Sequence, residues 1–103
     1  MNGYIYKITN KINEKIYIGK TLQPIYMRFK EHCKDAFRDR NEKRPLYAAM
    51  RKYGTESFEI ELIEEISIDR LSEREMYWIE KYDSYHNGYN ATRGGDGKQL
   101  YDY

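Results

Sequence analysis

The sequence predicts a single domain of the α/β class in its α+β form: a small three-stranded antiparallel sheet flanked by helices, in the order β-β-α-α-β-α. A chain of 103 residues can bury one hydrophobic core and is too short for two. Three runs rich in Tyr, Ile and Phe resemble strands, and three other runs repeat apolar residues at helical spacing. Because no repeat or linker divides these runs, we expect one domain over residues 1–95 and a tail over 96–103.

The first two strands are predicted over residues 3–9 and 15–20, which are rich in Tyr, Ile and Thr. Two asparagines in the segment between them favour a turn, so the strands form a hairpin. A four-residue loop places Tyr6 opposite Tyr17, with both hydroxyls on one face of the sheet. Gly19 then leaves a gap on that face, where a ligand or another backbone can come close.

The first helix is predicted to follow Pro24, which fits the first turn of a helix. An apolar stripe at four-residue spacing faces the core on this helix: Phe29, Cys33 and Phe37. Arg28 and His32 form a second stripe one step around the helix. This border position keeps their polar ends at the rim of the core, facing the hairpin.

The middle of the chain predicts a second helix and a third strand. The second helix starts at Pro45 and ends at Gly54, a favourable C-cap. The residues that it buries are expected to be Leu46, Ala49, Met50 and Tyr53. Apolar residues then alternate with glutamates over residues 57–63, which predicts a strand with one face in water: Phe58, Ile60 and Leu62 point to the core.

A final helix carries Glu75 on an apolar stripe formed by Leu71, Trp78 and Tyr82. A carboxylate in this position is costly unless a cation, a metal or several donors compensate it. Two interpretations remain open. If Ser72 is the N-cap, Glu75 completes a capping box, whereas an earlier N-cap at Asp69 places Glu75 inside the helix. The glycine-rich segment over residues 87–97 is predicted to be loop.

Composition indicates a soluble protein of a reducing compartment, so we expect an intracellular, cytoplasmic location. Cys33 is the one cysteine, which excludes an internal disulfide and a zinc site built on several thiolates. We interpret it as a small apolar residue. The sequence has no signal peptide and no long apolar run, so no membrane partner is expected.

Charge is unevenly distributed along the chain. The net charge is only +1, but residues 1–54 hold 13 Lys and Arg against 5 Asp and Glu, whereas residues 55–103 hold 5 against 12. This polarity predicts one face for a polyanion and another that avoids it. The alternative is that the two halves neutralise one another in the fold.

Several residues could carry chemistry, and each also has an ordinary structural interpretation. Arg28 and His32, one helical turn apart, could bind a phosphate or form a solvated flank. Tyr6 and Tyr17 could serve a site or simply pack, because a phenol with a pKa of about 10 is a poor base at neutral pH. Asn90, in a glycine-rich loop, is ordinarily a turn residue.

Together these residues form a pattern that resembles a known family. In chain order the pattern is Tyr4-Ile5-Tyr6, Tyr17-Ile18-Gly19, Arg28 and His32, Lys52-Tyr53-Gly54, Glu75-Met76-Tyr77-Trp78-Ile79 and Gly88-Tyr89-Asn90. It is similar to the GIY-YIG nuclease domain, and most similar to the catalytic domains of phage group I intron homing endonucleases. The resemblance covers nearly the whole chain.

Two positions depart from the family pattern. Tyr4 replaces the glycine that names the first motif, and Gly3 lies one place earlier. Related homing enzymes also carry a second histidine before the second helix, where this chain has Asn41-Glu42-Lys43-Arg44. The role of that histidine either falls to Lys43 or Arg44 or is absent.

The resemblance implies a DNA endonuclease that hydrolyses a phosphodiester bond with one Mg²⁺ or Mn²⁺ ion held by Glu75. It implies that Tyr17 positions or deprotonates the attacking water, that Tyr6 hydrogen-bonds in the same site, and that Arg28 stabilises negative charge on the phosphate. His32 assists the base or contacts a phosphate. The residues expected at the substrate are Gly19, Lys20 and Asn90, the last mainly as an architectural hydrogen-bonding residue.

The implied partner is DNA, and the implied origin is microbial, phage or viral. The chain carries no zinc finger, helix-turn-helix or long basic extension, so we expect little intrinsic sequence specificity. Recognition of a specific target sequence would then require a separate DNA-binding domain. Cleavage of both strands would require such a domain or a second copy of the chain. The alternative is a non-catalytic nucleic-acid-binding module on the same fold, which tolerates the loss of Glu75 and needs no divalent ion.

Overall fold

The computed structural model describes residues 1–38 and 43–95 and contains a three-stranded antiparallel sheet with strand order β2-β1-β3. The elements in chain order are β1 (Asn2–Asn10), β2 (Ile16–Thr21), α1 (Ile25–Arg38), α2 (Pro45–Tyr53), a 3-10 turn (Thr55–Ser57), β3 (Phe58–Ser67) and α3 (Ile68–Tyr82). The predicted fold class and element order are confirmed. The division into a domain over 1–95 and a tail over 96–103 stays a prediction, because the tail lies outside the described residues.

The register of the β1–β2 hairpin differs from the predicted one. Tyr6 pairs with Gly19, and Tyr17 pairs two residues further along β1, so the two tyrosines are diagonal neighbours rather than opposite each other. The cause is the turn, where the Asn10 N–H donates to the Lys15 carbonyl and extends the pairing beyond the predicted strand end. Both rings still lie on one face of the sheet, with their centroids 6.3 Å apart.

Strand β3 is longer than predicted and contains an irregularity. It pairs antiparallel with β1, and the register shifts between Ile5 and Tyr6. Phe58 and Ile60 lie against the core before the shift, whereas Leu62 is 50% exposed. The predicted burial of Leu62 is therefore wrong. Leu62 pairs with Tyr6 in the same register as Ile60, but it lies on the edge strand β3, where one side of the strand has no neighbouring strand among the described residues to cover it.

A helical layer covers each face of the sheet. Helices α1 and α2 lie on one face, over a core cluster of Tyr6, Ile8, Ala36, Leu46, Tyr47, Ala49, Met50, Phe58 and Tyr89. Helix α3 lies on the other face, over a cluster of Ile5, Ile18, Leu71 and Ile79. Since β2 is an edge strand of this sheet, side chains from both layers can meet beside it.

Helix α1 buries a different stripe from the predicted one. His32 and Ala36 are its buried residues, Phe29 and Cys33 are partly buried, and Phe37 is 52% exposed. Phe37 lies outside the core because a helix has 3.6 residues per turn, so each four-residue step turns about 40° further around the helix axis. Two such steps from Phe29 carry the Phe37 side chain away from the face that packs on the sheet. The predicted rim position of His32 is also wrong, since His32 is only 1% exposed.

Helix α2 has the predicted bounds. It begins at Pro45 and is followed by Gly54, whose φ of +85° lies in the left-handed region that favours glycine. Its buried residues are Leu46, Tyr47, Ala49 and Met50. Tyr53 is only partly buried, and the burial of Tyr47 was not predicted.

Helix α3 begins earlier than either interpretation of Glu75 assumed. Its N-cap is Ser67, so neither Asp69 nor Ser72 caps the helix, and the capping-box interpretation is wrong. Glu75 lies about two turns inside the helix and is 4% exposed. It therefore needs a compensating partner within the fold.

The buried stripe of α3 consists of Leu71, Glu75 and Ile79. Trp78 is only partly buried and Tyr82 is 38% exposed, so Ile79 rather than these aromatics continues the stripe. Residues 83–95 form turns and loop, as predicted for the described part of that segment. No described helix is long and apolar enough to cross a membrane.

Candidate active site

The predicted site residues meet in one cavity beside strand β2. The cavity has a volume of about 300 Å³ and is lined by side chains from both helical layers. Seven predicted residues line it: Tyr6, Tyr17, Lys20, Arg28, His32, Glu75 and Asn90. Arg44 and Tyr47 also line it, so helix α2 and the segment before it contribute to the same wall.

Gly19 lies behind this wall. It is buried and pairs with Tyr6, and a Cβ added at Gly19 would overlap the Tyr6 ring. The gap predicted on this face is therefore filled by Tyr6 and is not open to a ligand or another backbone. Gly19 contributes to the site because its lack of a side chain leaves the space that the Tyr6 ring occupies.

A buried hydrogen-bond chain holds Tyr6 in place. The Tyr6 hydroxyl lies 2.7 Å from Nε2 of His32, and Nδ1 of the same ring lies 2.8 Å from the Tyr47 hydroxyl. Burial, followed by the charges of Arg28 and Arg44, lowers the pKa of His32 from 6.5 to about 3. His32 is therefore neutral at physiological pH, with one donor nitrogen and one acceptor nitrogen.

The two phenols of the cavity are held in their protonated form. Burial, followed by Tyr17, raises the pKa of Tyr6 well above 10.0, and Arg28 opposes this shift. Burial, followed by the negative charge of Glu75, raises the pKa of Tyr17 to about 12. In this arrangement both side chains act as neutral hydrogen-bonding hydroxyls.

Glu75 accepts from two donors at the cavity wall, the Lys20 ammonium and the Gly95 N–H. The Lys20 Nζ lies 3.1 Å from its Oε1 and donates also to the Ser72 hydroxyl, at 3.2 Å. The Gly95 N–H donates to the same Oε1 at 3.2 Å. The Lys20 and Glu75 side chains are 2% and 5% exposed, so each ion is buried only because the other is present.

Among the described residues that line this cavity, Glu75 is the one that could offer a carboxylate to a metal. Within residues 1–38 and 43–95 there is no group of three or more His, Cys, Asp or Glu side chains that could hold a metal ion. A site here would be built on one protein carboxylate, with oxygen ligands from water and substrate completing the coordination.

Arg28 reaches the cavity from α1 with an incompletely satisfied guanidinium. Its Nη1 donates to Glu31 at 3.1 Å. Its Nε is buried and has no hydrogen-bond partner among the residues that the structure describes. A buried N–H without a partner is destabilising, so the Arg28 fork favours an added acceptor such as a phosphate oxygen.

Asn90 fastens the loop after α3 to the edge of β2. The Ile18 N–H donates to its Oδ1 and its Nδ2 donates to the Ile18 carbonyl, both at 2.8 Å. The neighbouring Tyr89 N–H donates to the Ile16 carbonyl at 2.9 Å. These bonds pair the outer edge of β2 and hold the loop that brings Gly95 to Glu75.

Tyr47 is the site residue that sequence reasoning missed. It lies three residues before Met50, on the face of α2 that was predicted to be buried. A buried tyrosine on that face requires a partner for its hydroxyl, and this requirement was the signal that could have located it.

Comparison with known proteins identifies the family. The GIY-YIG catalytic domain matches residues 2–90. The chain belongs to the GIY-YIG family. At the level of this family, the predicted resemblance and the predicted endonuclease class are confirmed.

Two relatives and two solved structures illustrate the similarity to other GIY-YIG proteins. The intron-associated endonuclease 1 of Enterobacteria phage T4 is 35% identical over 94 residues, covering 89% of this chain and 38% of that protein. Uncharacterized protein 019R of Invertebrate iridescent virus 6 is 36% identical over 98 residues, covering 87% of this chain and 33% of that protein. The catalytic domain of intron endonuclease I-TevI, solved as an E75A mutant, has a TM-score of 0.79 at 34% identity, covering 90% of this chain and 96% of that one. A second structure of the catalytic domain of homing endonuclease I-TevI has a TM-score of 0.76 at 34% identity, covering 87% of this chain and 98% of that one.

The chain thus spans well under half the length of these relatives, and nearly the full length of the solved catalytic domains.

The structure also locates the two positions at which this chain departs from the GIY-YIG sequence pattern. Gly3 is buried, and a side chain there would crowd α3, so the shifted glycine serves packing while Tyr4 is partly buried. Of the segment that replaces the second histidine, residues 41–42 lie outside the described part, Lys43 is exposed, and Arg44 lines the cavity.

Proposed function

We propose that this GIY-YIG domain is a divalent-metal-dependent DNA endonuclease that hydrolyses a phosphodiester bond in the cavity beside β2, with little intrinsic sequence specificity. One observation carries the proposal: the buried carboxylate of Glu75 and the guanidinium of Arg28 line the same cavity as Tyr6 and Tyr17. This set supplies an oxygen ligand for a hard cation, a cation for the phosphate and two hydroxyls for a water.

The residues present fit a hard divalent ion. Mg²⁺ and Mn²⁺ choose carboxylate oxygen, and Mg²⁺ commonly uses one or two protein carboxylates and keeps several waters. Glu75 would hold the ion, and its Lys20 partner would contact the same carboxylate or the substrate. When bound, one Mg²⁺ or Mn²⁺ would supply a Lewis acid for the phosphate and positive charge that lowers the pKa of Tyr17.

The chain's own residues then bind and orient the reactants. Arg28 donates to the non-bridging oxygens of the phosphate and stabilises the charge that develops there. Tyr17 positions the attacking water and removes its proton when its own pKa is lowered. The Tyr6 hydroxyl is held in place by its hydrogen bond to neutral His32 and lies next to Tyr17 in the same site. Asn90 serves the site by holding the loop, through its paired bonds to β2.

DNA targeting is proposed to lie outside this domain. The basic half of the sequence, residues 1–54, supplies Lys20, Arg28 and Arg44 to the cavity, which favours a polyanion without reading base sequence. Because the chain covers 38% of the T4 relative, we propose a separate DNA-binding domain in the complete protein, or a second copy for double-strand cleavage. The predicted cytoplasmic location stays a prediction.

Incubation with supercoiled plasmid and with branched DNA tests the proposal. Nicking is expected with Mg²⁺ or Mn²⁺ and none with EDTA. Arg28→Ala should reduce the nicking rate by roughly 100-fold or more, as expected when a group that stabilises the transition state is lost. Lys30→Ala is the matched control, because it removes one exposed charge from the same helix away from the cavity. DNA binding without metal-dependent nicking, or equal losses in both variants, would contradict the proposal.

A further inference from the structure

Glu31, on the same helix as Arg28, contacts the proposed phosphate-binding guanidinium without lining the cavity. Its Oε1 accepts from Nη1 of Arg28 at 3.1 Å and from Nε2 of Gln23 at 2.6 Å. Arg28 lines the cavity, whereas Glu31 and Gln23 do not. The two residues therefore stand behind Arg28 and reach a bound substrate through its guanidinium.

The contact with Glu31 uses only part of the donor capacity of Arg28. A guanidinium carries several N–H donors in a rigid planar fork, and Glu31 accepts from Nη1. Burial raises the pKa of Tyr6, and a hydrogen bond with Arg28 opposes this shift, so Tyr6 is a further contact of the guanidinium. The buried Nε has no hydrogen-bond partner among the described residues. Arg28 is thus held by the protein while donor capacity remains for a phosphate.

Gln23 ties Glu31 to the end of strand β2. The Gln23 N–H donates at 3.2 Å to Oγ1 of Thr21, which is the last residue of β2 and is 0% exposed. The Gln23 side chain then donates to the Glu31 carboxylate on α1. A single ion pair at the surface contributes little, and the Glu31 side chain is 45% exposed. The second contact, anchored at a buried strand end, makes the pair part of a network that can fix a geometry.

A second ion pair on α1 lacks these features and serves as a comparison. Arg38 Nη2 lies 3.3 Å from Asp35 Oδ1, again three residues apart, but the Arg38 side chain is 76% exposed. Neither residue lines the cavity. The Arg28 side chain, by contrast, is 14% exposed. Of these two pairs, only Arg28 and Glu31 connect the helix to the proposed phosphate site.

We propose that Glu31, tied to β2 through Gln23, is a positioning residue that holds the Arg28 guanidinium in the orientation in which it binds the substrate phosphate. This inference rests on the proposed nuclease function, in which Arg28 stabilises charge on the phosphate. Glu31 acts by orientation, because an unheld guanidinium rotates and its fork no longer matches the phosphate oxygens. The holding of Arg28 itself is a property of the folded domain and does not depend on the reaction.

Nitrogen NMR of the arginine side chains tests the holding of Arg28 independently of activity. A guanidinium held in an ion pair rotates slowly about its C–N bonds and gives separate Nη resonances, whereas an unheld one gives a single averaged resonance. The Arg28 signals, assigned by their loss in Arg28→Lys, should be separate in the wild-type protein and averaged in Glu31→Ala. Asp35→Ala is the matched control and should leave them separate. Averaged Arg28 signals in the wild type, or separate signals in Glu31→Ala, would overturn the proposal.

Plasmid nicking tests the functional consequence. Glu31→Ala should lower kcat by roughly 10- to 100-fold with an unchanged KM for DNA, because a misplaced group loses much of its effect on the transition state. Asp35→Ala should have wild-type kcat. Adding Glu31→Ala to Arg28→Ala, measured with enzyme in excess, should cause no further loss, because Glu31 acts through Arg28.

The outcomes separate this inference from the proposed function. A wild-type or raised kcat in Glu31→Ala, or an equal further loss in the Arg28→Ala background, would refute the positioning role. Failure of the wild-type domain to nick would instead contradict the nuclease proposal. The NMR result would then decide by itself whether Glu31 holds Arg28.

Discussion

Acidification should destabilise this domain through His32. The imidazole is 1% exposed and both its nitrogens are hydrogen-bonded in the neutral state. Its pKa is about 3 in the folded protein, against an ordinary value of 6.5. Between these values the unfolded chain binds a proton that the folded chain does not, so stability falls as the pH falls through 6.5.

The size of the effect follows from the same two values. Lowering the pH from roughly 7.5 to 5 should reduce the free energy of unfolding by about 2 kcal/mol through this one group. That is a large part of the 5–15 kcal/mol that is roughly typical of a domain.

Urea unfolding followed by circular dichroism at several pH values measures this slope. His32→Gln should have lower stability at neutral pH and a much smaller change between the two pH values, since glutamine has no proton to gain in this range. His86→Asn, which removes the exposed histidine, is the control: the difference between its slope and that of His32→Gln isolates the contribution of His32. An unchanged slope in His32→Gln would refute the neutral, buried state assigned to His32.

Three further substitutions probe the cavity wall. Gly19→Ala places a Cβ against the Tyr6 ring and should cost about 1–3 kcal/mol in urea unfolding, with loss of nicking; wild-type stability would show that the ring has room to move. Asn90→Asp sets a carboxylate against the Ile18 carbonyl and should lower the free energy of unfolding by about 1–3 kcal/mol. An unchanged free energy of unfolding would mean that the paired hydrogen bonds between Asn90 and Ile18 are dispensable. Lys20→Met removes the ammonium group that would compete with a metal ion for the Glu75 carboxylate. Mn²⁺ should therefore bind roughly tenfold more tightly or better in an EPR titration, because the positive charge that repels the ion is gone. Weaker Mn²⁺ binding would contradict this competition between Lys20 and the metal.

The fold was predictable because its signals are local. Pro45 and Gly54 mark the ends of α2, and alternation over Phe58 and Ile60 marks β3. Register was not predictable, because it depends on how the turn closes at Asn10. The observed closure moves every partner two positions along β2, which keeps each side chain on its face of the sheet.

The site was predictable as a set of residues, through the resemblance, and not as a geometry. A helical wheel placed His32 at the rim of the core, yet it is buried because α2 packs beside α1 and brings the Tyr47 hydroxyl to it. The compensation of Glu75 by Lys20 joins residues 55 positions apart, which no local pattern encodes. Packing between elements decides both contacts.

Glu75→Gln provides the most direct test of metal-dependent hydrolysis at this cavity. The substitution keeps an oxygen that can accept from Lys20 and Gly95, so the folded domain should persist by circular dichroism, while the anionic ligand is lost. Nicking of supercoiled plasmid with Mg²⁺ or Mn²⁺ should fall by roughly 100-fold or more, since a Lewis acid contributes several kcal/mol to such a reaction. Wild-type nicking by Glu75→Gln at the same metal concentrations would contradict the assignment of Glu75 as the metal ligand.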